Sequence, residues 1–158
     1  MVIDITITPG ALKQLPVDFR KREIRRLAKR IIKAIEELNA EAFNLSLLIT
    51  DDRHIAELNS TYRHKAKPTD VLSFPAPSLP PESLNDDREP KPLGDIAISI
   101  ETAARQARSF NVNLQSEMTR LLIHGILHLL GYEHEKVPSH IANKMRKMEE
   151  EILQRVTN

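Results

Sequence analysis

Three histidines lie close together in the sequence HGILHLLGYEH, at positions 124, 128 and 134. His124 and His128 are four residues apart, so in a helix they share one face, about 40° apart around the axis. Gly131 is the residue type that ends a helix in the left-handed conformation and turns the chain back, which can return His134 to the same place. Three neutral imidazoles that leave a fourth position for water or substrate are typical of a catalytic zinc site. The spacing therefore predicts a metal site at His124, His128 and His134.

The alternative is that these imidazoles are core residues of an apolar helix, with their ring nitrogens hydrogen-bonded to neighbouring groups. Burying three of them without a ligand would require a hydrogen-bond partner for each ring, and leucines flank them. The chain has no cysteine, so a metal must be held by His, Asp or Glu. The other three histidines, His54, His64 and His140, have no ligand spacing, and we expect them to be ordinary surface residues.

The spacing is also that of the metzincin motif of zinc peptidases, H-E-x-x-H-x-x-G-x-x-H. In that motif the glutamate is the general base that activates water for peptide hydrolysis. This chain has Gly125 at that position, and glycine cannot transfer a proton. The sequence thus predicts a similar metal cage without the base of a peptidase.

The same segment resembles the signature of the YbeY endoribonucleases, H-G-x-L-H-L-x-G-Y-D-H. The chain departs from it at Glu133, where the family commonly has Asp, which keeps the charge. The resemblance extends over roughly residues 45–153 and includes further blocks in the same order. These blocks are Leu58-Asn59, Tyr62-Arg63, residues 69–75 (TDVLSFP) and residues 93–96 (LGDI).

The resemblance implies a single-strand-specific, metal-dependent endoribonuclease that acts in ribosomal RNA maturation, at the 3′ end of the small-subunit RNA, and in ribosome quality control. It implies one zinc ion per chain, bound by the three histidines. The implied partner is RNA, as ribosomal RNA or the ribosome, with no DNA, membrane or small-molecule cofactor.

The resemblance also makes Arg63 the cationic catalytic residue of the cleft. Phosphodiester cleavage builds negative charge on non-bridging oxygens, which a guanidinium can stabilise with two parallel hydrogen bonds. Without the resemblance, a surface salt bridge after a helix would be the simpler role. Asp70 and Asp95 stand beside strand ends, where each can orient a ligand histidine or cap a turn; capping is the expected role.

The elements that must position these residues can be read from periodicity. Alternating apolar residues predict strands at residues 2–8 and 43–50, and short apolar runs predict two more at 69–74 and 94–99. Helical spacing predicts a long helix capped by Asp18 and a short one capped by Asp51 or Asp52. Three more follow: one from Ser99 to about Phe110, the apolar histidine helix ending at Gly131, and a last one after Pro138.

Residues 75–92 hold six of the ten prolines and predict a long surface loop. No repeat or boundary divides the chain. We therefore expect one α+β domain over residues 1–158, with a four-stranded mixed sheet, about five helices packed on it, and the metal site at the end of an apolar helix.

The long N-terminal helix is strongly basic on one side, although the net charge of the chain is only +1. Arg22, Arg26, Lys29 and Lys33 recur at helical spacing, beside an apolar stripe. Such a row can hold a nucleic-acid backbone; a merely solvated face is the equally open alternative.

Neither a signal peptide nor an apolar run of transmembrane length is visible, so we expect a cytoplasmic protein. Two other functions remain open. One is a metallopeptidase, which Gly125 disfavours. The other is a non-catalytic ribosome-binding module whose metal only stabilises the fold, which three rather than four ligands disfavours.

Overall fold

Four strands form one mixed sheet in the computed structural model, which describes residues 2–39, 41–77 and 89–158. The strands are β1 (Ile3–Ile7), β2 (Phe43–Thr50), β3 (Val71–Pro75) and β4 (Lys91–Ser99). Their order in the sheet is β1-β2-β4-β3. β1, β2 and β4 run parallel, whereas β3 runs antiparallel to β4 at the edge.

Six helices are present in the described residues. They are α1 (Pro9–Gln14), α2 (Lys21–Asn39), α3 (Asp52–Arg63), α4 (Ile100–Ser109), α5 (Leu114–Leu129) and α6 (Ser139–Thr157). The expected α+β fold with a four-stranded mixed sheet is confirmed. The helix that the sequence analysis did not predict is α1, where Pro9 not only ends β1 but also occupies the first turn of a helix.

The alternation of side chains along the strands divides the core between the two faces of the sheet. Leu47 of β2 and Ile96 and Ile98 of β4 belong to the main core, which also contains the buried sides of α2, α5 and α6. The opposite face carries a smaller cluster in which Ile55 of α3 packs on Ala97 of β4. None of the described helices is both long and apolar enough to cross a membrane.

The start of α2 differs from the prediction that Asp18 is its cap. The helix begins at Lys21, and Asp18 lies in the turn before it. The backbone N–H of Arg20 donates to Glu23 Oε2 at 3.3 Å, which is one half of a capping box. Glu23, in the third position of the helix, thus sets the start of α2 at Lys21, which is three residues after the predicted cap at Asp18.

The start of β4 also differs from the prediction, because Lys91 and Pro92 belong to the strand rather than to the preceding loop. The register with β2 shifts between Asn44 and Leu45. Gly94 has φ +136°, and a Cβ there would lie 2.3 Å from the carbonyl oxygen of Phe74 on β3, so only glycine fits. Most of the predicted loop, residues 78–88, lies outside the described residues.

Candidate metal centre

The end of α5 brings the three histidines together. His124 and His128 lie on the last turns of this helix, which ends at Leu129. Beyond it, Gly131 has φ +91°; its N–H donates to the carbonyl of His128, and the N–H of Tyr132 donates to that of Leu127, both at 3.0 Å. These bonds make up a Schellman motif. It reverses the chain and places His134 beside the other two rings, as the glycine predicted.

The three imidazoles have the separations that one metal ion requires. Their ring centroids are 4.6, 4.8 and 5.0 Å apart, and each ring offers a nitrogen within 4.8 Å of the others. The Nε2 atoms of His124 and His128 are 3.1 Å apart. Two nitrogens bound tetrahedrally to one zinc at about 2.05 Å are about 3.3 Å apart. His124, His128 and His134 can therefore hold a metal ion together.

A carboxylate from a different helix orients the first of these rings. Glu149 of α6 accepts a hydrogen bond from His124 Nδ1 at 2.6 Å. A carboxylate at this distance favours the tautomer with its proton on Nδ1, which leaves the Nε2 lone pair free to ligate a metal. The sequence analysis considered Asp70 and Asp95 for this role, but neither forms a hydrogen bond or an ion pair with a described histidine. Asp70 instead caps the start of β3, accepting from the N–H of Val71 at 2.7 Å, and Asp95 is exposed on β4.

His128 lies in surroundings that keep it neutral. Burial, and then the nearby imidazoles of His124 and His134, hold the pKa of His128 below its ordinary value. Glu133 acts in the opposite direction, with its carboxylate 3.8 Å from His128 Nδ1. Because only an unprotonated imidazole can bind a metal, a lowered pKa favours ligation near neutral pH.

The histidines open into a cleft of about 380 Å³ that contains two arginines and three carboxylates. The arginines are Arg63, the exposed last residue of α3, and Arg120 of α5. The carboxylates are Asp70, Glu133 and Glu135. With neutral imidazoles these side chains sum to one negative charge, and a divalent cation would reverse the sign. The cleft can thus attract a cation first and an anion such as phosphate afterwards.

Arg120 is a residue of the cleft that the sequence analysis did not single out. It lies one helical turn before His124, and the spacing 120, 124, 128 was the signal that could have found it. Its guanidinium binds Glu117, which is 1 % exposed, at 2.6 Å, and lies 3.9 Å from Asp70. The hydrogen bond to Glu117 outweighs burial and raises the pKa of Arg120 above its ordinary value.

Gly125, the residue that differs from the peptidase motif, faces the sheet rather than the cleft. A Cβ at this position would lie 3.1 Å from Ile96 Cδ1 and 3.3 Å from Ser73 Oγ and Val71 Cγ2. Ser73 donates a hydrogen bond to the carbonyl of Gly125 at 3.1 Å. The glycine allows α5 to pack directly on β3 and β4, which brings the histidines close to the start of β3, where Asp70 lies.

Comparison with known proteins decides the family. The family model "Endoribonuclease YbeY" matches residues 11–157. The chain belongs to the YbeY family. The YbeY protein of Aquifex aeolicus is 43% identical over 143 residues, which cover 89% of this chain and 90% of that protein. That of Myxococcus xanthus is 48% identical over 117 residues, or 74% of this chain but only 38% of the longer relative.

A solved structure supports the same fold. The solution structure of TM1509 from Thermotoga maritima aligns with a TM-score of 0.57 at 25% identity, covering 97% of this chain and 90% of that one. The resemblance of this chain to the YbeY family, predicted from the histidine segment and the upstream blocks, is confirmed.

The remaining sequence candidates lie outside the YbeY cleft. Arg22, Arg26, Lys29 and Lys33 are all exposed on α2, and Arg22 pairs with Glu23 at 2.7 Å. Of the other histidines, His64 and His140 are exposed as expected. His54 is half-buried, with its Nδ1 3.0 Å from the hydroxyl of Thr50.

Proposed function

We propose that this chain is a zinc-dependent endoribonuclease that cleaves single-stranded RNA. The observation that carries the proposal is that three metal-competent imidazoles and the exposed Arg63 line one cleft in a member of the YbeY family. Three protein ligands leave one tetrahedral position open, which favours a catalytic over a structural metal.

The roles of the residues follow from their chemistry. A bound zinc ion would act as a Lewis acid on a phosphoryl oxygen and would lower the pKa of water towards about 7. Arg63 would donate hydrogen bonds to the non-bridging oxygens as their negative charge grows. Glu149 keeps the His124 ring oriented through its Nδ1 hydrogen bond. Arg120, held by Glu117, adds a second positive charge to the lining of the cleft.

The biological target that we propose is ribosomal RNA, at the 3′ end of the small-subunit RNA, together with a part in ribosome quality control. This assignment rests on the resemblance to the YbeY family, as do a cytoplasmic location and a preference for RNA over DNA. Purified ribosomal RNA and assembled ribosomes are therefore the substrates to test.

The deciding experiment combines metal analysis with RNA cleavage. We expect about one zinc ion per chain by elemental analysis, and cleavage of ribosomal RNA that stops with a chelator and returns with zinc. His128→Ala should lose most of the metal and the activity, whereas His140→Ala, on an exposed histidine of α6, should lose neither. Native protein that contains no metal and takes up none on titration would contradict the site.

Two other functions predict different results in the same assays. A metallopeptidase would hydrolyse casein when loaded with zinc, but Gly125 supplies no base and faces the sheet. A binding module with a structural metal would lose thermal stability on chelation and would cleave no RNA in either state. Comparing melting temperature and RNA cleavage for chelated and zinc-loaded protein separates both from the nuclease.

A further inference from the structure

An apolar groove lies next to the cleft and shares one of its walls. It has a volume of about 840 Å³ and runs from the α4–α5 turn to α2 and the end of α6. Arg120 lines both this groove and the metal cleft. A chain that leaves the cleft past this guanidinium therefore enters the groove.

Phe110 is the exposed aromatic residue of the groove. It caps the C-terminus of α4, and the next residue, Asn111, has φ 55°, which turns the chain away from the helix. The residue is 56% exposed and belongs to neither hydrophobic core cluster. Tyr62, at 63%, is also exposed, but its ring packs edge-on against Phe74, whereas the ring of Phe110 is contacted by the guanidinium of Arg120.

The guanidinium of Arg120 connects this ring to the cleft. Its Cζ lies 5.6 Å from the centroid of Phe110, while its Nη2 lies 3.9 Å from Asp70 in the cleft. The bond to Glu117 fixes the side chain in this position. The guanidinium lies over one face of the Phe110 ring, which leaves the other face for a ligand. Proteins stack unpaired nucleobases on aromatic faces of this kind.

We propose that this groove is a subsite for single-stranded RNA, in which a base beside the phosphate held in the cleft stacks on Phe110. The inference rests on the proposed function and deepens it. Bases within a duplex are already stacked on their neighbours, so only an unpaired strand can use this ring. The groove would thereby favour single strands over duplexes.

The two arginines that line the groove fit a nucleic acid better than an apolar peptide or a second copy of the chain. Arg120 and Arg30 of α2 both line the groove, and the Arg30 guanidinium donates to the carbonyl of Val156 at its edge. Arg26 and Lys33 lie four residues before and three after Arg30, so they continue the positive charge along the same side of the helix. A strand with its bases in the groove would find cations near it for its phosphates, on α2 and at Arg120.

The test is the affinity of a labelled single-stranded oligoribonucleotide, measured by fluorescence anisotropy with metal-loaded protein and checked for intact length after each titration. Phe110→Ala should weaken binding about five-fold or more, the usual effect of losing one stacked base. Phe110→Trp should restore it, because indole stacks as well. The matched control is Val17→Ala, a change at an apolar residue that is 82% exposed and lies away from the groove; it should bind as wild type does.

A scan with abasic nucleotides locates the stacked base. In wild type, one abasic position should weaken binding as Phe110→Ala does, and in the Phe110→Ala protein the same position should have no further effect. A fully paired RNA should bind both proteins equally. Equal affinity of wild type and Phe110→Ala for the single strand, or an equal loss for duplex, would overturn the proposal. So would dissociation of a wild-type dimer by Phe110→Ala in sedimentation, which would make the groove a self-association surface.

Results that contradict the base-stacking subsite can be told apart from results that contradict the nuclease activity. Zinc-loaded wild type that cleaves single-stranded RNA, with no effect of Phe110→Ala on binding, contradicts the subsite alone. Absence of cleavage by zinc-loaded wild type contradicts the nuclease itself, whatever the binding titrations give.

Discussion

The three imidazoles differ in the interactions that fix their orientation. His128 is fixed by α5 and by burial, whereas His134 lies on the loop after Gly131 and is the most exposed, at 37% of its side chain. Of the three rings, only that of His124 donates a short hydrogen bond to a carboxylate, that of Glu149. The orientation of one ligand thus depends on a residue of another helix.

Glu149→Gln should weaken zinc binding by about 10- to 100-fold, the usual effect of removing a carboxylate behind a ligand histidine. The amide keeps the size of the side chain but loses its charge, so the ring is held less firmly and its free nitrogen is less basic. Zinc affinity by competition with a chromophoric chelator is the measurement. Glu150→Gln, at the exposed neighbour, is the control, and equal affinities for the two variants would contradict the role of Glu149.

Arg63→Ala should lower the rate of RNA cleavage strongly and leave zinc content and melting temperature almost unchanged. The side chain is exposed at the end of α3 and has no ion-pair partner among the described residues, so its removal costs the fold little. Arg63→Lys should recover only part of the activity, since an ammonium cannot make the planar two-pronged contact. Cleavage by Arg63→Ala at the wild-type rate would show that Arg63 is not catalytic.

How far the sequence predicts the site depends on how local each contact is. The histidines are predictable because helical spacing and one helix-ending glycine place all three within a short segment. Glu149 is not, because its contact with His124 joins two helices whose relative position depends on packing. In sequence it is only one member of an acidic run, Glu149-Glu150-Glu151.

Among the elements, α5 matters most, because its contact with the sheet sets the position of the cleft. Gly125 brings the helix against Ser73 and Ile96, and any side chain there must displace one of them. Element types were predictable from periodicity for every described strand and for every described helix except α1. The positions where elements begin were harder to predict when a single side chain decides them. Glu23 decides the start of α2, and Pro9 that of α1.

Gly125→Glu should destabilise the protein by at least about 3 kcal/mol, because it places a charge without a partner against the apolar sheet. It should also create no peptidase activity. Gly125→Ala should change the free energy of unfolding by less than about 1 kcal/mol, since better helix propensity offsets the tight contact with Ile96. Urea unfolding of both variants and a casein assay are the measurements. A stable Gly125→Glu protein that hydrolyses casein would contradict this prediction and support the metallopeptidase alternative.

At the scale of the whole molecule, the net charge of +1 conceals a strong asymmetry. Basic residues are concentrated on α2, while acids gather on α6 in the run 149–151. The apolar side of α2 is buried as its periodicity predicted, so its basic side faces solvent. Arg30 lines the apolar groove beside the cleft, which places this basic side along the path proposed for RNA.

Arg26→Glu combined with Lys29→Glu should weaken RNA binding and flatten its dependence on salt. Contacts from such a row to phosphates release condensed counterions, so each lost contact reduces the slope of log affinity against log salt by about 0.7 for a single strand. Both residues are exposed, so the fold should survive, and zinc content should not change because the ligands belong to α5 and the loop after it.

The control is the pair Lys13→Glu and Arg53→Glu, which changes the net charge equally but lies on α1 and at the start of α3. If only long-range attraction mattered, both double variants would weaken binding alike. If α2 is merely a solvated face, neither would alter the slope. A flatter slope for the α2 variant alone, with the control parallel to wild type, is the result expected of direct contact between this helix and the RNA backbone.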